Sequence, residues 1–127
     1  MEVNKIPVAF SDHRGAISDI VTKENIGAVT IITTRKGAVR GNHYHKETWQ
    51  YLYVLSGKLR AVAQNPGEAP TEAILLPGDL ILDVPNQRHA FEGLEDSTCL
   101  VLTRGVREGD DYEKDTFRLD IPLIKPA

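Results

Sequence analysis

The chain has 127 residues, 41% of them hydrophobic and 26% charged, with a net charge of −3. That length suits one domain with one continuous core, and the mildly acidic balance gives no electrostatic reason to expect nucleic acid or an anionic membrane as a partner. The single Cys99 excludes an internal disulfide, the start Met1-Glu2-Val3-Asn4-Lys5-Ile6-Pro7 is no secretory signal, and no run nears the roughly 18 apolar residues of a membrane span, so a cytoplasmic protein is expected.

Nowhere does the sequence sustain a helical period. Short β-branched and aromatic runs alternate with turn signals instead, the habit of an all-β sandwich or barrel. The spacing predicts strands over Ile6–Phe10 and Ala16–Val21, divided by Asp12-His13-Arg14-Gly15, then over Ala28–Thr33 and Ala38–His45. Trp49–Leu55 and Lys58–Gln64 come next, joined by Ser56-Gly57. Thr71–Leu76 comes after Asn65-Pro66-Gly67, Leu80–Val84 after Pro77-Gly78-Asp79, and His89–Glu92 after Pro85-Asn86. In these turns glycine permits positive φ, while proline presets φ and removes a ladder donor. Thr98–Thr103 sets Cys99 in an apolar run, where it reads as a packing residue rather than a nucleophile. Gly105–Lys114 reads as a charged loop, Asp115–Asp120 as one more edge strand and Ile121–Ala127 as an extended end.

Alternation along Trp49–Leu55 puts Gln50, Leu52 and Val54 on one face and Trp49, Tyr51, Tyr53 and Leu55 on the other. A strand buried on one side only has no need of three aromatics on its second face. One face therefore lines the barrel. The other meets a second subunit, which makes the chain a homodimer, or else an internal second sheet; Tyr51 and Tyr53 are interface residues on the first view.

Three of the four histidines stand out. His43 and His45 are two residues apart, so a strand presents both imidazoles on one face, and His89 begins a later strand after a proline turn. Burying several polar rings without a task is costly, which marks a working pocket. His13 lies in a turn and reads as surface, and Arg88, next to His89, points the other way.

The spacing resembles the two signature motifs of the cupin superfamily. The first reads Gly37…His43-Tyr44-His45…Gln50…Gly57, over about 37–57; the second reads Gly78…Pro85…His89, over about 78–93. The resemblance implies a single cupin domain over 1–127, a double-stranded β-helix or jelly-roll barrel. It also implies a divalent metal (Zn, Fe, Ni or Cu) held by His43, His45, His89 and the residue at position 50, with no organic cofactor. That residue is ordinarily acidic. Gln50 leaves an oxygen ligand without compensating charge, so the site holds metal more weakly or holds none. Glu47 lies in the turn, where a solvated carboxylate is the simpler reading.

The ends narrow the resemblance. Phe10-Ser11-Asp12-His13-Arg14-Gly15 is similar to the opening of the nucleotide-sugar cupins, which include dTDP-4-keto-sugar epimerases and 3,4-ketoisomerases. Arg40-Gly41-Asn42-His43-Tyr44-His45 is similar to the ketoisomerases and to the C-terminal cupin domain of capsular-polysaccharide reductases, and Asp115-Thr116-Phe117-Arg118-Leu119 to the end of that domain. This closer resemblance implies an isomerase or epimerase moving a proton beside a ketone, with His43 and His45 as acid and base. His89, Gln50 or a cation would stabilise the enolate, and Arg40, Arg14 and Arg60 would hold the diphosphate of a nucleotide sugar. Arg14 has a second reading, a local pair with Asp12. The competing functions are a metal-dependent cupin of another class, such as a dioxygenase, and a non-catalytic small-molecule-binding cupin.

Overall fold

The structure is a computed structural model that describes residues 1–105 and 109–126. Two antiparallel sheets of five strands face each other. One runs β1 (Asn4–Lys5), β9 (Asp79–Asp83), β6 (Trp49–Ser56), β11 (Ser97–Arg104), β4 (Ala28–Thr34). The second runs β12 (Phe117–Arg118), β5 (Val39–Tyr44), β10 (Arg88–Gly93), β7 (Leu59–Gln64), β8 (Thr71–Leu75). A hairpin of β2 (Phe10–Asp12) and β3 (Gly15–Ile17) belongs to neither sheet, and α1 (Gly109–Lys114) precedes β12. This is the expected all-β jelly roll. No helix of the described residues is long and apolar enough to cross a membrane.

The core forms between the sheets where alternation places it. Leu52 and Val54 of β6, Cys99 and Val101 of β11 and Ile81 of β9 meet Leu59 and Ala61 of β7 and Leu75 of β8. Each large aliphatic side chain so buried contributes roughly 1.5–3 kcal/mol. Cys99 is a packing residue as expected, and burial pushes its thiol up to about 11. Gly57 turns β6 into β7 at a φ of 89°, against the backbone of Asp96 and Ser97, so no side chain fits there.

Trp49, Tyr51 and Tyr53 occupy the outer face of β6 and are half-buried, while Gln50, Leu52 and Val54 are buried. The two five-stranded sheets turn their inner faces to one core, which puts the aromatic face on the outside of its sheet.

Several boundaries differ from expectation, and the expected edge strand Asp115–Asp120 pairs only over Phe117–Arg118. Ile6–Phe10 is not a strand: pairing stops at Lys5 and resumes at Phe10, because Pro7 offers no donor. Ala16–Val21 ends at Ile17, since its partner strand in the hairpin is three residues long. His45 lies one residue past the end of β5. Within the expected loop Gly105–Lys114, Gly109–Lys114 forms one helical turn and a half, while residues 106–108 lie outside the described residues.

Candidate active site

The barrel encloses a cavity of about 200 Å³ between the sheets. Its polar wall is made by Arg40, His43, His89, Gln50, Asp83 and Thr34, and its apolar part by Ile32, Leu52, Leu59, Phe91, Cys99 and Val101; Tyr112 of α1 reaches it from outside the sheets.

His43 and His89 are cross-strand partners on β5 and β10, with ring centroids 4.7 Å apart. His45 stands behind them, 4.9 Å from the His43 ring and 5.4 Å from His89, with Tyr112 at 5.3 Å on its other side. The three histidines converge as expected, but His45 is buried and does not form the cavity wall.

The surroundings of His43 and His89 favour neutral rings. Burial first, and then the neighbouring His89 and His45, push His43 down to about 3. Burial and His45 push His89 down to about 4. Two backbone carbonyls fix the tautomers: His45 Nδ1 donates to Asp115 O at 2.9 Å and His89 Nδ1 to Gln87 O at 3.3 Å. Nε2 of each is left as the lone-pair atom. That of His45 is fully buried and has no partner.

A β-bulge shapes the wall. Gly41 and Asn42 have φ of 87° and 56°, and the β5–β10 register slips between His89 and Ala90. A Cβ on Gly41 would lie 2.8 Å from His89 O, so only glycine passes. The bulge turns Arg40 onto the cavity, where its Nε donates to Thr34 Oγ1 at 3.1 Å and its Nη2 to Thr33 O at 2.8 Å. Asn42 points away and clamps the chain's C-terminal segment: its Oδ1 accepts from Leu123 and Ile124 N–H, and its Nδ2 donates to Ile124 O.

The other two predicted arginines do not reach the cavity. Arg14 pairs with Asp12, Nη2 to Oδ2 at 2.7 Å, in the exposed β2–β3 hairpin. Arg60 lies on the outer face of β7 between Glu72 at 2.8 Å and Glu92 at 3.1 Å. Arg88 points outward over the Tyr44 ring, as alternation requires. Sequence reasoning missed Asp83 and Tyr112. Asp83 is hidden in the apolar run Leu80–Val84, although it faces Gln50 across the β6–β9 ladder. Burial pushes its carboxyl up to about 7, against the pull of His45. Tyr112 lies in a segment whose charge and glycine content read as a loop.

The residues fit a divalent metal. The imidazole nitrogens of His43, His45 and His89 lie within 4.8 Å of one another, and the orphaned Nε2 of His45 is a ready ligand; among the described residues no carboxylate joins the group.

A jelly-roll barrel with histidines from the two motif strands around an internal pocket is a cupin. The profile of the polysaccharide biosynthesis C-terminal domain family matches residues 10–79, and the chain belongs to that family. Among solved structures it is similar to a double mutant of the QdtA 3,4-ketoisomerase from Thermoanaerobacterium thermosaccharolyticum in complex with TDP. That match has 27% identity and a TM-score of 0.76, covering 92% of this chain and 86% of that one. It shares its fold with a 3,4-ketoisomerase from Helicobacter canadensis (22% identity, TM-score 0.77, 92% of this chain and 89% of that one). It also shares it with the dTDP-4-dehydrorhamnose 3,5-epimerase from Sulfolobus tokodaii (24% identity, TM-score 0.67, 79% and 68%). A comparison with curated proteins gives no match.

Proposed function

We propose that this protein is a cupin-type sugar-nucleotide isomerase or epimerase that moves a proton next to a keto group. The observation that carries the reading is the pair of adjacent imidazoles, His43 on the cavity wall and His45 behind it, beside a pocket of about 200 Å³. The likeness to a TDP-bound 3,4-ketoisomerase over 92% of the chain supports it.

In this mechanism His43 accepts the proton from the carbon beside the ketone. The C–H electron pair becomes the enolate double bond, and the carbonyl oxygen takes up the charge. Negative charge growing beside His43 raises its affinity for the proton, which offsets the low value set by burial. The protonated His43 then hands that proton to the neighbouring carbon, directly or by way of the lone pair on Nε2 of His45, whose Nδ1 is held on Asp115 O. Arg40, at the wall beside His43, is the cation for the diphosphate. Incubation with a dTDP-4-keto-6-deoxyhexose in deuterated water, monitored by NMR, should show solvent deuterium at the carbons flanking the ketone. No exchange across several such substrates would sink the reading.

The unpartnered Nε2 of His45 favours a second reading, in which His43, His45 and His89, with Gln50 as an oxygen donor, hold a divalent metal. Such a metal would polarise the ketone oxygen and stabilise the enolate. Elemental analysis of protein purified without affinity metal or chelator separates the two: a metal-free, folded and active sample leaves the histidines as acid and base.

We also infer a homodimer in the cytoplasm. The outer face of the sheet containing β6 carries Tyr51, Tyr53, Leu100 and Leu102, bordered on β4 by Val29 and Ile31, which are 65% and 66% exposed. An apolar face of that extent calls for a cover, and a second copy supplies the same surface in return. A lone, buried thiol suits a reducing compartment.

A further inference from the structure

The wall opposite His43 and His89 carries polar side chains of its own. Asp83, Gln50 and Thr103 form one cross-strand row over β9, β6 and β11. Gln50 is 7% exposed and Asp83 5%, and both line the cavity. Among the described residues neither side chain makes a hydrogen bond, and both line the cavity beside Thr103, whose buried Oγ1 has no partner. An amide and a carboxyl this deeply buried without hydrogen bonds are expensive, and the pocket's occupant can supply them.

His43 and His89 lie on the other sheet, and His45, just past the end of β5, pulls on the Asp83 carboxyl without hydrogen-bonding it. A metal held among them would still leave Asp83 unpaired. A carboxylate accepts and an amide both donates and accepts, which is the complement of two neighbouring hydroxyl groups. A cavity of about 200 Å³ has the size of one sugar ring.

We propose that Asp83 and Gln50 form the sugar subsite of this pocket, holding adjacent ring hydroxyls of a hexose against the sheet that faces the histidines. This rests on the pocket being a sugar-nucleotide site, and names the substrate groups it recognises there. Hydroxyls at C2 and C3 anchored on one wall fix the ring in the pocket, with the C3–H bond beside the C4 ketone left to face His43.

Calorimetry on the full chain tests this with two probes, TDP alone and TDP-4-keto-6-deoxyglucose. The wild type should bind the sugar nucleotide more tightly than TDP. Asp83→Asn should weaken the sugar nucleotide roughly 10- to 100-fold and leave TDP affinity unchanged. Gln50→Leu, nearly isosteric, should do the same to a smaller degree and carries the test should Asp83→Asn fail to fold. An analogue with the 2- and 3-hydroxyls replaced by hydrogen should bind the wild type no better than TDP does. The proposal is overturned if both variants bind the sugar nucleotide like the wild type, or lose TDP to the same extent. A wild type that binds TDP but gains nothing from the sugar overturns this assignment alone. One that binds neither probe overturns the sugar-nucleotide reading with it.

Discussion

Arg40 and His43 line the same cavity although they lie three residues apart on one strand. Regular alternation would put them on opposite faces; the bulge at Gly41 and Asn42 absorbs the difference. Gly41→Ala should therefore cost about 2–5 kcal/mol, from the positive φ and from the Cβ driven onto His89 O. Urea unfolding measures it. A variant as stable as the parent would remove the bulge as a requirement of this pocket.

The histidine roles separate by kinetics. His43→Asn and His45→Asn should each slow solvent exchange into the keto sugar by roughly 10²- to 10⁴-fold, the span of a lost acid or base. Arg40→Ala should act mainly through a raised KM, because it removes a diphosphate contact and not a proton carrier. Equal losses in kcat for all three would contradict this division.

Much of the barrel is legible in the sequence because its physics is local. The strands β6, β7, β9 and β10 announce themselves through short β-rich runs and through the glycine and proline turns between them. His43, His45 and His89 carry a recognisable spacing. Arg40 is legible near the site by adjacency alone; the bulge that turns it inward has no signal beyond two residues able to take positive φ. Asp83 is illegible because a lone carboxylate in an apolar run says nothing about the residue across the ladder. The hairpin misleads for the opposite reason. Ile17 and Phe10 look like core residues, yet they are 59% and 53% exposed.

In the presence of chelator, stability should vary with pH in a way that isolates Asp83. His43 and His89 fall from 6.5 to about 3 and about 4 on folding, so folding releases their protons and stability drops as pH falls below 6.5. Asp83 rises from 3.8 to about 7, so folding takes up a proton and its contribution is lost as pH climbs from 3.8 through 7. The two histidines outweigh the one carboxyl at acidic pH, which puts the stability maximum near pH 7. Asp83→Asn should match the wild type near pH 4 and exceed it increasingly up to pH 7, after which the gap stays constant. Melting temperatures by circular dichroism across pH 4–8 check the sign; a gap that shrinks with rising pH would contradict it.

The quaternary prediction is direct. The wild type should run as a dimer in light scattering, and Val29→Lys with Ile31→Lys should give a folded monomer, since both side chains are exposed and contribute little to the protomer's own core. A monomeric wild type would leave the apolar face without its proposed cover.

The clamp at Asn42 and the carbonyl of Asp115 set the order in which the pocket can come into being. His45 takes its proton position from a residue 70 places downstream, and Asn42 closes on Leu123 and Ile124, 81 and 82 places away. A chain emerging from the ribosome thus holds all three histidines long before it holds a defined tautomer at His45. The barrel can pair strand by strand as it is made, but proton chemistry waits for the segment from Asp115 to Ile124 to dock.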